Sequence, residues 1–514
     1  MSRDSDEQNT LVVTVAENAA LGVLGSIVFM LLRFGINVLI IRSLGAGSYG
    51  IYVLAATILT IAGAIAVLGV PRAMVRFVSQ YRALNDTPRL KGTIYWGIGL
   101  VLVFSTVLCL GLFFLSHFLN LRFFHEPALT PVFKIMVLSL PLSCLGTVIF
   151  ASLQGIKLIK HRVLVNQVLV PLCRLLCIAL AIALGYQLKG VAWSYVLALV
   201  LGTILGVFYL IKSFPEILQR GPILYERRKI TFFSLPLLFS GLFHTMLNPV
   251  SILIMGHFLS ATMVGIYATA QRFLPLILIP LGAFNTIFAP IISDLFAQGK
   301  RKELENQFKI VAKWVFMTSL PIFTLLIFFS KQILSIFGPS FAAHSHAMIV
   351  LCIGQMIMAG TGSTGLMLVM TGRPQFNLVN SALFCLMGIS LNIYMIPRYG
   401  IIGAAWVSAL SFGTIQLLQL VEVWYLLGMH PFNVDFLKPI LSCLLSALLL
   451  TAISHVGLNT TNTLIIILIL SPLFFISYGG FLWLLKLSAE DRIILNNLRE
   501  RLLKQGSQHI ERAA

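Results

Sequence analysis

Residues 44–56 read LGAGSYGIYVLAA, and residues 259–271 read LSATMVGIYATAQ. The two blocks share a GIY core and lie 215 positions apart, 259 against 44. Two further echoes keep almost the same lag. GVAWSYVL at 190–197 pairs with GAAWVSAL at 403–410, and LVN at 164–166 pairs with LVN at 378–380. A near-constant lag across separate blocks marks an internal repeat. The chain therefore reads as two halves, 1–215 and 216–430, followed by residues 431–486 and a basic tail at 487–514.

Composition says what the halves are made of. Of 514 residues, 58% are hydrophobic and 10% charged, and the mean hydropathy is +0.95. Soluble domains carry about 25% charged residues. A membrane-crossing helix needs about 20 apolar residues. Fourteen segments qualify: 19–42, 50–70, 93–118, 132–154, 164–186, 190–211, 232–257, 264–290, 314–330, 343–370, 377–396, 400–425, 437–456 and 463–485, numbered here as spans 1 to 14. The expected fold is an all-α integral membrane protein. Each half contributes six spans, and spans 13 and 14 are an appendix. Six is even, so both halves start on the same side of the membrane and are related by an axis along its normal. In transporters built this way the substrate site lies between the repeats, and one half rocks against the other. The connector 212–230 is then a hinge strap. The longest polar stretches, 212–230 and 486–514, are too short for a soluble catalytic domain.

The net charge of +19 would suggest nucleic acid in a soluble protein. Here loop topology accounts for it. With the N-terminus inside, 27 Lys and Arg fall on inner segments and 6 on outer ones. That asymmetry follows the positive-inside rule and places both termini in the cytoplasm. No nucleic-acid partner is needed. The seven cysteines all lie in apolar runs, as buried small hydrophobes do. With no CxxC or HExxH pattern, neither a metal nor a cofactor is expected. The polar N-terminus, leading into a long apolar span, does not read as a cleavable signal.

The stretch RSLGAGSYGIYVLAATILTIAGAIAVLGVPRAMVRFVSQY (42–81) resembles the first-repeat signature of the bacterial polysaccharide-biosynthesis, or O-antigen, flippases. These belong to the multidrug/oligosaccharidyl-lipid/polysaccharide exporter superfamily. The resemblance covers nearly the whole chain and implies a V-shaped pair of six-helix bundles plus two C-terminal helices. It also implies translocation of an undecaprenyl-pyrophosphate-linked oligosaccharide unit to the outer leaflet of the inner (cytoplasmic) membrane. The implied protein is a monomer and not an enzyme. Its partners would be the lipid-linked glycan, membrane lipids, and a polysaccharide polymerase or chain-length machinery. Three rivals stand beside this reading. They are a lipid II flippase, a cation-coupled multidrug exporter, and a membrane glycosyltransferase or polymer ligase. The last would need a sizeable outer loop with catalytic groups, and the one at 117–131 offers only Arg122, His125 and Glu126 beside His117.

Three arginines remain inside the spans: Arg33, Arg174 and Arg272. A guanidinium in lipid costs from roughly 3 to more than 10 kcal/mol, so each needs a reason. Arg33 lies about 21 Å along span 1, at 1.5 Å per residue. Either it snorkels to the outer interface or it lines a wet cavity with Asn37, one turn on. Arg174 sits mid-span, where snorkelling is least plausible; it lines the cavity or pairs with backbone carbonyls. Arg272 follows Gln271, just before Pro275 and Pro280, prolines that kink helices and free carbonyls. Arginine matches phosphate oxygens through paired hydrogen bonds. The three are therefore expected to form a cationic lumen for a lipid pyrophosphate.

Other candidates carry a plainer alternative. Asn248 precedes Pro249, where the helix is expected to break, and is near the repeat equivalent of Arg33. His244 is either a proton relay or a satisfied packing group. Of the 17 acids only Glu422 falls in a span, near its inner end, as a solvated rim or an ion-coupling site. That scarcity weighs against a cation exporter. Residues 71–91 read as an amphipathic helix with Met74, Phe77 or Val78, Tyr81 and Leu84 on one face. Arg76, on the other face, contacts either anionic lipid or the entering phosphate.

Overall fold

The computed structural model describes residues 2–156, 158–219, 221–457 and 463–485. Among these the regular structure is helical throughout, with no strand. Among the described residues nine helices are long and apolar enough to cross a membrane, or ten if the bent pair Ser345–Thr361 and Thr364–Met370 is one span. Two of the nine hold two sequence segments each. Ser2–Ala66 carries spans 1 and 2 and breaks at Gly45 (φ 80, ψ 172). Pro374–Leu427 carries spans 11 and 12 and breaks at Gly400 (φ 57, ψ −135). Side chains avoid these angles, and glycine adopts them freely. With Arg227–Phe258 and Thr463–Leu484 added, helices cover all fourteen segments read from the sequence.

The chain forms two compact units, Met1–Thr269 with Ser381–Val407, and Ala270–Asn380 with Ser408–Ala514. The first unit contains the crossing of the two GIY blocks. A Cβ on Gly50 would run into the Ala261 carbonyl and the Gly265 backbone. A Cβ on Gly265 would run into the Ala46 carbonyl and the Gly50 backbone. The contact is reciprocal at the repeat lag: Ala46 answers Ala261 and Gly50 answers Gly265. Backbones this close exclude any side chain, as at small-residue crossings in membranes. Around the crossing Tyr49, Tyr52 and Tyr267 are buried. The Tyr267 hydroxyl donates to the Ala404 carbonyl at 3.3 Å.

The expected amphipathic helix is shorter than 71–91. It runs Val70–Ala83, and Asp86 caps the next helix, Thr87–Leu119, by accepting from the Arg89 backbone N–H. Leu84 lies past the end, beside Asn85 in the left-handed region (φ 53), and is exposed. Met74, Phe77, Val78 and Tyr81 do share a buried face. That face packs on protein, against Thr87–Leu119, Leu140–Gly155 and Arg227–Phe258, and is not left for lipid.

At this end of the unit the connector is fastened. Lys91 donates to the Gln219 carbonyl at 3.1 Å and Tyr95 to that of Ile217 at 2.5 Å. Arg227 lies over the rings of Trp96 and Tyr225, at 5.0 and 5.1 Å. Glu226 is the node. Its carboxylate accepts from the Tyr81 hydroxyl and pairs with Lys229 at 3.1 Å and Arg89 at 3.4 Å. The Tyr81 hydrogen bond, helped by Lys229 and Arg89, holds the Glu226 carboxyl below its usual range. Hydrogen bonds to Tyr81 and Glu226 raise Lys229.

In the second unit Phe288, Ile292, Leu304, Phe308, Met367 and Leu368 form a core. Beside it runs a polar seam. Thr361 and Thr364 donate to Gln416, Gln419 donates to Asn377, and Asn380 donates to Glu422.

Two predictions follow from these contacts. Gly50→Leu should destabilise the purified protein by about 1–3 kcal/mol, the usual cost of overpacking. Gly35→Ala, where a Cβ meets nothing within 4 Å, should leave the melting temperature unchanged. The Glu226 contribution is present above the ordinary carboxylate pKa and is lost as pH falls through its lowered folded value. That of Lys229 is lost only as pH rises through its raised value. Limited proteolysis of the 214–226 connector should therefore accelerate in acid, and Glu226→Gln should reproduce that acceleration at neutral pH.

Candidate functional site

The Arg174 side chain is held by aromatic faces. It donates to the Tyr52 hydroxyl, and its guanidinium lies 5.2 Å from the Tyr52 ring centroid and 4.8 Å from that of Tyr195. Its Nε is buried and lacks a hydrogen-bond partner among the described residues. No carboxylate pairs with it among those residues. A desolvated cation on a ring gains about 2 kcal/mol, which offsets part of the burial cost without using up the charge. Tyr52 belongs to the GIY block, so the crossing also positions this arginine.

Arg33 and Asn37 join the same neighbourhood. Asn37 is buried; its amide donates to the Arg33 carbonyl at 2.6 Å and its oxygen accepts from the Tyr49 hydroxyl at 3.3 Å. The Arg33 guanidinium is exposed and lies 5.2 Å from the Phe29 ring centroid. The rings of Tyr49 and Tyr52 stand 6.2 Å apart. The structure thus gathers Arg33, Asn37 and Arg174 around the tyrosines of one repeat block.

Next to this cluster is a cleft of about 790 Å³. Its walls are the start of Val70–Ala83, the helix Leu140–Gly155, the 162–170 stretch that leads into span 5, and residues 199–203 of span 6. Arg72, Arg162, Gln154 and Asn166 line it, with Ser143, Thr147 and Thr203. None of its lining residues is acidic. Arg162 donates to Gln154. The cleft reaches Val170 and Leu199, one helical turn from Arg174 and Tyr195 respectively. Sequence reading missed Arg72 and Arg162, because both count as inner-loop charges there. Asn166 was in view within the LVN block but served only to measure the repeat.

The remaining candidates lie elsewhere. Arg76 is exposed and stacks on Phe77 and Phe233, at 5.7 and 4.5 Å, and does not line the cleft. Asn248 is exposed on Arg227–Phe258, which runs unbroken through Pro249, contrary to the expected break. The helix tolerates that proline at the cost of one backbone hydrogen bond. The His244 side chain lies outside the described residues, as does the basic tail. Gln271 ends the helix Ala261–Gln271, and Arg272 begins a turn that precedes Pro275–Ala297. There the backbone tightens to three-residue bonds, Phe273 to Ala270 and Leu274 to Gln271, both 3.3 Å. The turn falls just before Pro275, whereas Pro280 lies inside the continuous helix Pro275–Ala297; Arg272 belongs to the second unit. Glu422 is in that unit too, accepting from Asn380 at 2.7 Å. Among the described residues no group of His, Cys, Asp or Glu could hold a metal ion.

Comparison with known proteins agrees with this architecture. Residues 15–296 match the polysaccharide biosynthesis protein family, and residues 236–394 match the MatE family. A probable low-salt glycan biosynthesis flippase, Agl15, of Haloferax volcanii is 25% identical over 167 residues, 32% of this chain and 35% of that one. An uncharacterized membrane protein of Methanocaldococcus jannaschii is 24% identical over 143 residues, 28% of either chain. The chain thus spans about a third of the length of the curated relatives it matches. Among solved structures, an inward closed lipid II flippase MurJ aligns with a TM-score of 0.69 at 16% identity, covering 90% of this chain and 98% of that one. An inward-facing multidrug resistance MATE family transporter aligns at 0.66 with 14% identity, over 78% and 94%. The fold is that of the exporter superfamily, and this multi-pass membrane protein belongs to the polysaccharide biosynthesis protein family.

Proposed function

We propose that the protein is a flippase, a transporter and not an enzyme. It carries an undecaprenyl-pyrophosphate-linked oligosaccharide repeat unit from the cytoplasmic to the outer leaflet. The carrying observation is the acid-free cleft with Arg72 and Arg162 on its walls and Arg174 one turn beyond. A cleft with fixed positive charge and no carboxylate favours an anionic ligand and disfavours a cationic drug. Arg174 has donors to spare: one N–H serves Tyr52, and its Nε is unpartnered. A phosphate can take that donor without first breaking an ion pair.

Transport proceeds by alternating access of the halves 1–215 and 216–430, with spans 13 and 14 appended. The protein is monomeric in the inner membrane with both termini cytoplasmic, and hands its glycan to a polymerase or chain-length machinery. Arg272 and Gln271 contribute from the second half, and Arg76 and Asn248 are contacts on the route. Glu422 and His244 are the groups available for ion or proton coupling. A second reading, lipid II as the cargo, draws support from the 98% coverage of the MurJ structure. The headgroup physics is the same in both.

Depleting the protein and profiling undecaprenyl-linked lipids by mass spectrometry separates the two readings. A single lipid-linked repeat unit should accumulate. Accumulation of lipid II would install the second reading, and an unchanged profile with altered sensitivity to cationic dyes would reject both. Neutralising Arg33, Arg174 or Arg272 singly should slow translocation about tenfold or more, the weight of one charged hydrogen bond, while membrane insertion is retained. Normal transport by all three variants would refute the cationic route.

A further inference from the structure

Every fourth residue from 162 into span 5 is polar or faces the cleft: Arg162, Asn166, Val170 and Arg174. On a regular α-helix such a series drifts about 40° per step, since four residues turn 400°. Three steps would carry Arg174 about a third of the way round the helix from Arg162. The stretch Leu164–Leu169 is a π-helical turn, which holds an extra residue per turn. It absorbs much of that drift and keeps the series on one face. Wide turns of this kind are frequent at functional sites. Here the turn aligns a guanidinium in the cleft with a second one about 18 Å further along, at 1.5 Å per residue.

The walls divide the labour. Arg72 faces the cleft from the first turn of Val70–Ala83, so two guanidinium groups from separate helices share it. Gln154 accepts from Arg162 and steadies it while leaving its other donors available. The hydroxyls differ in character. Ser143 donates to Leu140, Thr147 to Ser143, and Thr203 to Leu142 and Leu199, all to backbone carbonyls. With their protons committed, these oxygens can only accept. Acceptors repel a phosphate and suit the O–H groups of a sugar. Donors therefore lie at the arginines and at the amide groups of Gln154 and Asn166, and the three hydroxyls add acceptors to the same wall.

We infer that Arg72 and Arg162 form a receiving station for the phosphate of a prenyl-linked saccharide, and that span 5 is a track delivering it to Arg174. The ligand assignment rests on the flippase reading; the anion site itself does not. Arginine at both stations supplies planar paired donors, and no acid on the cleft wall holds the anion back.

The test uses the full-length protein in detergent, titrated with farnesyl pyrophosphate, inorganic pyrophosphate and neutral farnesol, with binding read by native mass spectrometry. Wild type should bind farnesyl pyrophosphate well above the other two. Arg72→Gln and Arg162→Gln should each weaken it about tenfold or more, with unchanged melting temperature. Arg162→Lys should recover only part, because a point charge lacks the paired donors. Arg174→Gln should keep farnesyl pyrophosphate binding yet lose translocation in vesicles. Several results overturn the proposal. Unchanged affinity in both cleft variants removes the receiving station, and equal binding of inorganic and farnesyl pyrophosphate makes it a site for free anions only. Loss of binding in Arg174→Gln collapses two stations into one. If wild type binds the probe as expected but moves no lipid-linked saccharide, the station stands and the flippase reading fails.

Discussion

The first unit depends on one close approach. Gly50 and Gly265 meet backbone to backbone, each answering the other at the repeat lag, with Ala46 and Ala261 completing the contact. No other residue type fits, because a Cβ on either side would overlap a carbonyl or an amide. Backbones at this range gain dispersion along the whole contact, and in lipid that gain is the main drive for helix association. The crossing also carries the tyrosines that follow each glycine. Tyr52 is fixed where its ring and hydroxyl receive Arg174, and Tyr267 where it reaches Ala404.

The cationic cluster follows from that constraint. A membrane-embedded arginine is expensive, and the cheapest remedy is a carboxylate. This chain uses aromatic faces for Arg174 instead. A salt bridge would cancel the charge, whereas ring faces stabilise it and leave its hydrogen-bond donors available. The Glu226 node does the opposite. There one carboxylate gathers Tyr81, Arg89 and Lys229 and consumes their donors in fastening the connector. Basic residues in this unit are thus held in two ways, by a carboxylate at the Glu226 node and by aromatic faces at Arg174.

Much of this was legible in the sequence. Apolar length alone located the spans, because it is a local pattern, and the GIY echo marked the two segments that meet at the glycine crossing. Gly45 fell between two sequence segments and Gly400 at the first residue of one, as helix breaks should. Arg174 stood out as a charge too deep to snorkel. Arg72 and Arg162 did not, since being in a cleft is a tertiary property and their positions look like ordinary loop charge. Leu84 was misplaced on the buried face because hydrophobic periodicity runs on past the point where Asn85 turns the chain. The proline at 275 follows a real turn, while those at 249 and 280 lie inside continuous helices; neighbouring helices decide whether a lost hydrogen bond matters.

The claim that Arg72, Arg162 and Arg174 carry a phosphate-linked cargo is tested most directly in reconstituted vesicles. One saccharide would be presented on two carriers, a polyprenyl pyrophosphate and the corresponding neutral polyprenol, and its arrival at the opposite leaflet timed. The account predicts protein-dependent crossing of the pyrophosphate lipid and only background crossing of the neutral one. Equal crossing of both would contradict it, because recognition would then rest on the sugar or the chain and the arginines would have no anion to hold.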